Sequence, residues 1–149
     1  PVALFVVELL TTVARHEHEN RQLFKFVDAS IDVLELDGEH TANFHLVFMT
    51  MLTRLVGIAP DEETYAAGSW LDLREGCFTL LRPAHQDVAQ PEVARRIALF
   101  LRGGFEGVAM PMNRDERNCC LDALMDYYRL HLPSFPELKS VAILRQLFQ

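Results

Sequence analysis

Apolar residues recur along most of this chain at three- and four-residue intervals, the pattern of helices that turn one face inward. The chain starts at Pro1 without a Met and enters Val2-Ala3-Leu4-Phe5-Val6-Val7 at once, with no polar lead-in. A helix that is apolar nearly all round, running to about Arg15, needs partners on most sides. It is therefore expected at the centre of a bundle or against a further domain, and the chain reads as a fragment. From Asn20 to Leu36 the stripe is Leu23, Phe24, Val27, Ile31 and Leu34, with Arg21, Lys25, Asp28, Asp32 and Glu35 opposite and Asp37-Gly38 closing the helix. From Thr41 to Val56 it is Phe44, Val47, Phe48, Met51, Leu52 and Leu55, stopped by Gly57 and Pro60.

The period then breaks. Pro60, Gly68, Gly76 and Pro83 separate Trp70-Leu71-Asp72-Leu73 from Cys77-Phe78-Thr79-Leu80, which predicts a short hairpin in an insert over about 61–90. Helical spacing resumes at Pro91, a residue suited to the first helical position, with Val93, Ile97, Phe100 and Leu101 ahead of Gly103-Gly104. Asn113-x-x-Glu116 has the spacing of a capping box before Cys120, Leu121, Leu124, Met125 and Tyr128, and Pro133 ends that helix. Ser134-x-x-Glu137 repeats the spacing and predicts the start of a last helix with Leu138, Val141, Leu144 and Phe148 on one face. The fold class expected is all-α, one compact bundle of about six helices over 1–149 with a small hairpin-like insert.

Composition narrows the function. Half of the 149 residues are apolar and 23% are charged, a globular balance. Fourteen Lys and Arg against 21 Asp and Glu leave a net charge of −7, which argues against a broad phosphate-binding surface. Cys77, Cys119 and Cys120 are odd in number and lack CxxC spacing, so neither a disulfide framework nor a thiolate zinc site is expected, and a reducing cytoplasm is the default compartment. The apolar opening is interrupted by Glu8, Thr11 and Thr12, too short to span a bilayer, and a soluble domain is expected.

Candidate chemistry is sparse. His16-Glu17-His18-Glu19 offers four metal-ligand types, but sequence neighbours point apart and the HExxH spacing is missing. His40, His45, His85 and His131 stand without a catalytic neighbour in sequence, and Cys119-Cys120 fits core packing. No G-x-S-x-G, P-loop or dinucleotide turn occurs, so no cofactor and no catalytic residue are assigned and an interaction role outranks an enzyme. Cations supply the better candidates. Arg95, Arg96 and Arg102 share one helix and could give weak DNA contact. Arg129, Lys139 and Arg145 lie on the last two, near Tyr127, Tyr128, Leu130, Phe135 and Leu138. That mixture suits a short acidic peptide with an aromatic end.

Several blocks carry a resemblance. These are Ala42-Asn43-Phe44-His45-Leu46, Leu55-Val56-Gly57, Asp72-Leu73-Arg74-Glu75-Gly76-Cys77-Phe78 with Pro83-Ala84-His85, and above all Tyr127-Tyr128-Arg129-Leu130-His131-Leu132 with Pro136-Glu137-Leu138-Lys139-Ser140. Over nearly its whole length the chain resembles the C-terminal part of the RecO family of DNA repair proteins in its Bacteroidetes form. The resemblance implies an N-terminal OB-fold, outside this chain, that carries the DNA contacts. It further implies a recombination mediator that, with RecR and in some bacteria RecF, helps RecA load on DNA coated by single-stranded-DNA-binding protein, promotes strand annealing, and recognises that protein's acidic C-terminal tail. A cytoplasmic, nucleoid-associated setting and no membrane partner follow. Of the tail-binding candidates, Lys139 alone belongs to the recurring Leu-Lys-Ser step. The family often holds zinc in an insert after the Leu-x-Gly turn; here 61–82 has one thiol, Cys77, and no zinc is expected. The alternative from the residues alone is an all-helical regulatory domain that encloses a small ligand in an apolar cavity.

Overall fold

In the computed structural model, residues 1–14, 21–36 and 42–147 are described. Among the described residues six α-helices form: α1 (Val2–Ala14), α2 (Arg21–Leu36), α3 (Phe44–Leu55), α4 (Pro91–Gly103), α5 (Arg114–His131) and α6 (Ser140–Leu147). The expected all-α class needs a correction, because the insert contains a three-stranded antiparallel sheet. Its strands are β1 (Trp70–Asp72), β2 (Cys77–Thr79) and β3 (Val88–Ala89), in the order β2-β1-β3. The hairpin pairs Leu71 with Phe78; β3 adds the pair Leu71 with Ala89 on the other side of β1. A two-residue strand leaves too short an alternation to be read from sequence.

The centre of the bundle is α3, where Phe44 through Thr50, Leu52 and Thr53 are all buried. Of the two places expected for the first helix, the centre of the bundle is thus taken by α3. Phe5, Leu9 and Val13 of α1 face inward against α3 and α6, while Leu4 and Val7 are exposed. On α2 the inward face is also rotated from the expected stripe. Phe24 is 71% exposed and Ile31 45%, whereas Phe26 and Val33 pack on the core. The rotation has an aromatic cause: Phe26 stacks between Phe48 and Phe105, with ring centroids 5.1 and 5.9 Å away, in a cluster that Phe44 completes.

Two helix starts follow the sequence signals. Pro91 is at the first position of α4, and the Asn113 side chain accepts from Glu116 N at 2.9 Å while Glu116 Oε2 accepts from Asn113 N at 2.8 Å. The third does not. Ser134 takes a left-handed backbone, φ 58°, and the last helix begins at Ser140. Its free N–H groups are satisfied from the far end of the chain: Glu8 of α1 accepts from Lys139 N at 2.7 Å and Ser140 N at 2.9 Å. A partner 132 residues away replaces the local capping box. Phe148, assigned to this helix face from sequence, and Asp37-Gly38 lie outside the described residues.

Candidate functional site: a cationic groove between the last two helices

The Tyr127-Tyr128-x-x-His131 block holds the fold together. Tyr128, fully buried, donates to Met49 O of α3 at 2.7 Å, and Tyr127 donates to Ile58 O. His131 stacks on Tyr127, ring centroids 4.1 Å apart, with Nε2 2.7 Å from Leu73 O in the insert. Burial pushes both phenol pKa values up, so both rings stay protonated. Gly76 completes this seam with φ +67°; a Cβ there would lie 2.9 Å from the Tyr127 hydroxyl.

Two polar residues of the insert, Asp72 and His85, are likewise engaged internally. Asp72 Oδ1 accepts from Arg74 N and Glu75 N, each at 3.0 Å, and lies 3.0 Å from His85 Nε2. His85 Nδ1 accepts from Asp87 N at 3.1 Å, which leaves Nε2 to carry the hydrogen toward Asp72. Burial alone would raise the Asp72 pKa; the bonds from Glu75, His85 and Arg74 outweigh it and hold it below the usual carboxylate range. Cys77 is a poor metal ligand, its thiol pKa raised by burial and by Asp72, Glu75 and Asp61. One disfavoured thiol and a committed imidazole do not fit a tetrahedral zinc. Among the described residues no group of three or more His, Cys, Asp or Glu is arranged to hold a metal. The His16-to-Glu19 cluster and His40 lie outside them.

Two further titratable candidates, His45 and Cys120, are buried. His45 packs edge-on to Phe5 and is held neutral, its pKa lowered to about 3 by burial and then by the Arg117 cation. Cys120 is buried with its pKa pushed up to about 12, and Cys119 is exposed.

The three arginines of α4 do not form one surface. Arg95 is exposed and lies 3.3 Å from Glu92. Arg96, only 7% exposed, reaches Glu116 Oε1 at 2.9 Å, so one carboxylate caps α5 and ties it to α4. Arg102 lies over the Tyr65 ring, 5.3 Å from its centroid, and donates to Glu62 O at 3.3 Å.

Arg129, Lys139 and Arg145, by contrast, converge. They line one groove of about 420 Å³ with Asp122, Met125, Glu137, Leu138, Val141 and Ala142. The α5 wall carries Asp122, Met125 and Arg129, spaced i, i+3 and i+7 on one helix face. Lys139 sits at the mouth of α6, its backbone fixed by Glu8. Burial would raise the Glu8 pKa, but bonds from Ser140 and Lys139 and the Lys139 ammonium lower it overall. Arg129 lies 2.9 Å from Asp126 on its own helix, and Arg145 crosses the groove to Asp122. The i+7 spacing of Asp122 and Arg129 was available in the sequence; the role of Glu8, remote in the chain, was not.

Comparison with known proteins identifies the family of the chain. The Recombination protein O C terminal family model matches residues 2–141. The DNA repair protein RecO of Phocaeicola vulgatus is 42% identical over 148 residues, covering 99% of this chain and 61% of the relative. RecO of Bacteroides fragilis (strain YCH46) is 42% identical, covering 99% of this chain and 62% of the relative. RecO of Porphyromonas gingivalis (strain W83) is 40% identical, covering 99% and 61%. The chain thus spans about three-fifths of the length of these curated relatives. No solved structure matches it. With the family model covering nearly all of its helices and relatives matching it end to end, the chain belongs to the RecO C-terminal family.

Proposed function

We propose that this domain acts in DNA repair by homologous recombination as the protein-interaction part of a recombination mediator. In this reading the groove between α5 and α6 captures the acidic C-terminal tail of single-stranded-DNA-binding protein. RecR is a second partner, and the complete mediator helps RecA load and strands anneal. DNA is held mainly by an OB-fold in the rest of the protein, with Arg95 and Arg102 adding at most weak contact and Arg96 engaged inside the fold.

The observation that carries the reading is the convergence of Lys139, Arg129 and Arg145 on a groove floored by Met125, Leu138 and Val141. Cations can pair with acidic side chains while the apolar floor takes an aromatic end. The family membership and the relatives' shared name, DNA repair protein, support the setting. Binding rather than catalysis is supported by the state of the reactive groups: the Cys77 and Cys120 thiols are disfavoured as thiolates and His45 is buried and neutral. The small-ligand alternative is less favoured among the described residues, where two apolar hollows beside α2 measure about 230 and 160 Å³, each below the roughly 300–1,000 Å³ of ordinary ligand pockets.

The test is a fluorescence-anisotropy titration of the chain with the tail peptide and, separately, with a single-stranded oligonucleotide, at low and moderate salt. Saturable peptide binding that weakens with salt, beside weak or no oligonucleotide binding, is the expected result. Oligonucleotide binding without peptide binding would contradict the proposal.

A further inference from the structure

The three groove cations are not equally available. Arg129 is paired along its own helix with Asp126, which lies outside the groove lining. Lys139 is exposed at the mouth of α6, where its charge helps lower the Glu8 pKa and the Glu8 carboxylate is held by two backbone N–H groups. Arg145 is different. Its partner, Asp122, is itself part of the groove lining, on the opposite wall and 23 residues away. The pair therefore spans the groove, and both partners keep contact with water, Asp122 at 60% and Arg145 at 32% side-chain exposure.

From this we infer that Asp122 is a resident carboxylate that an acidic ligand must displace from Arg145, making the pair a latch that sets the affinity and charge selectivity of the groove. The inference rests on the groove reading above and deepens it by naming its control. An incoming carboxylate trades places with Asp122 on the guanidinium, so the exchange conserves the Arg145 pairing and leaves Asp122 to be solvated by water. A solvated pair of this kind is exchangeable, because exposed ion pairs contribute little in water. A neutral or singly charged peptide gains nothing by opening the latch, whereas one with several carboxylates recovers the Arg145 contact and adds those to Lys139 and Arg129. The latch also bridges α5 to α6, which otherwise leans on α1 through the Glu8 cap.

The experiment is the anisotropy titration repeated with Asp122→Asn, with Glu106→Gln as a control that removes one exposed acid outside the groove. Asp122→Asn is expected to tighten binding of the acidic peptide about two- to fivefold, to steepen its salt dependence, and to lose both gains when Arg145→Gln is added. Glu106→Gln is expected to change binding less than Asp122→Asn. Wild-type binding with no gain in Asp122→Asn, or an equal gain in Glu106→Gln, would overturn the latch and leave the groove reading standing. A silent wild type with a binding Asp122→Asn supports the latch and shows the groove closed at rest. Silence in both removes latch and groove together. Far-UV circular dichroism of each variant guards against loss of α6.

Discussion

The insert end of the molecule and the α5–α6 groove use the same kinds of residue for opposite ends. Around the insert, Asp72, His85, Tyr127 and His131 point at backbone groups and at one another, and each polar atom so placed fixes a chain segment. At the groove, Arg129 and Arg145 pair with the exposed carboxylates of Asp126 and Asp122, which water can replace, and Lys139 is exposed. A charged side chain bonded to buried backbone is structure, because removing it strands a donor or acceptor. One paired at the surface costs little to release and is free to meet a ligand. The two regions are only one helix apart, and α5 serves both: its Tyr127 and Tyr128 face the core while Asp122 and Arg129 face the groove.

That contrast can be broken in a graded way. The largest effect is expected from acid acting on the buried polar groups. His45 has its folded pKa depressed to about 3, so the unfolded chain takes up a proton that the folded one refuses as pH drops below about 6.5. Stability is complete above that value and is lost progressively toward pH 3, on the order of 3 kcal/mol by pH 4. Urea unfolding from pH 7.5 to 4 checks this, and His45→Gln should flatten the slope whatever it does to stability at neutral pH. Asp72 and Glu8, whose pKa values are also lowered, add a further loss that sets in as pH falls through about 4.5 for Glu8 and about 4 for Asp72.

Next comes Asp72→Ala, which strands Arg74 N and Glu75 N in the β1–β2 turn. A loss of about 2–3 kcal/mol in chemical unfolding is expected, without change in peptide affinity, since the insert does not line the groove. Tyr128→Phe keeps the ring and removes the bond to Met49 O, and about 1 kcal/mol is expected. Smaller still is Glu8→Gln, which weakens the charge-assisted cap of α6 by about 0.3–1 kcal/mol. Its sharper readout is local: amide hydrogen exchange at the first turn of α6 should rise while α3 stays protected.

Much of this arrangement was legible in the chain, where its causes were local. Pro91, the Asn113 and Glu116 pair, and the turn formers around the hairpin each act within a few residues, and each fell where its spacing placed it. The errors came where the deciding partner was distant. Phe24 and Phe26 are equally apolar, and only the rings of Phe48 and Phe105 select Phe26 for the interior. Ser134-x-x-Glu137 has the right letters for a cap, yet Glu8 supplies it to Ser140 from the first helix. Arg96 reads as a surface cation until Glu116 draws it inward. The groove cations were visible as residues near one another on the last two helices, but Asp122 became meaningful only once α6 was placed opposite it.

On the function proposed, Lys139 and its neighbours bind, whereas Asp72 and His85 of the insert hold the fold. Lys139→Glu tests it most directly, with thermal unfolding and acidic-peptide affinity measured on the same sample. Stability within about 0.5 kcal/mol of the parent and peptide affinity reduced on the order of tenfold are expected. Unchanged affinity, or a loss of stability large enough to explain the loss of binding, would contradict it.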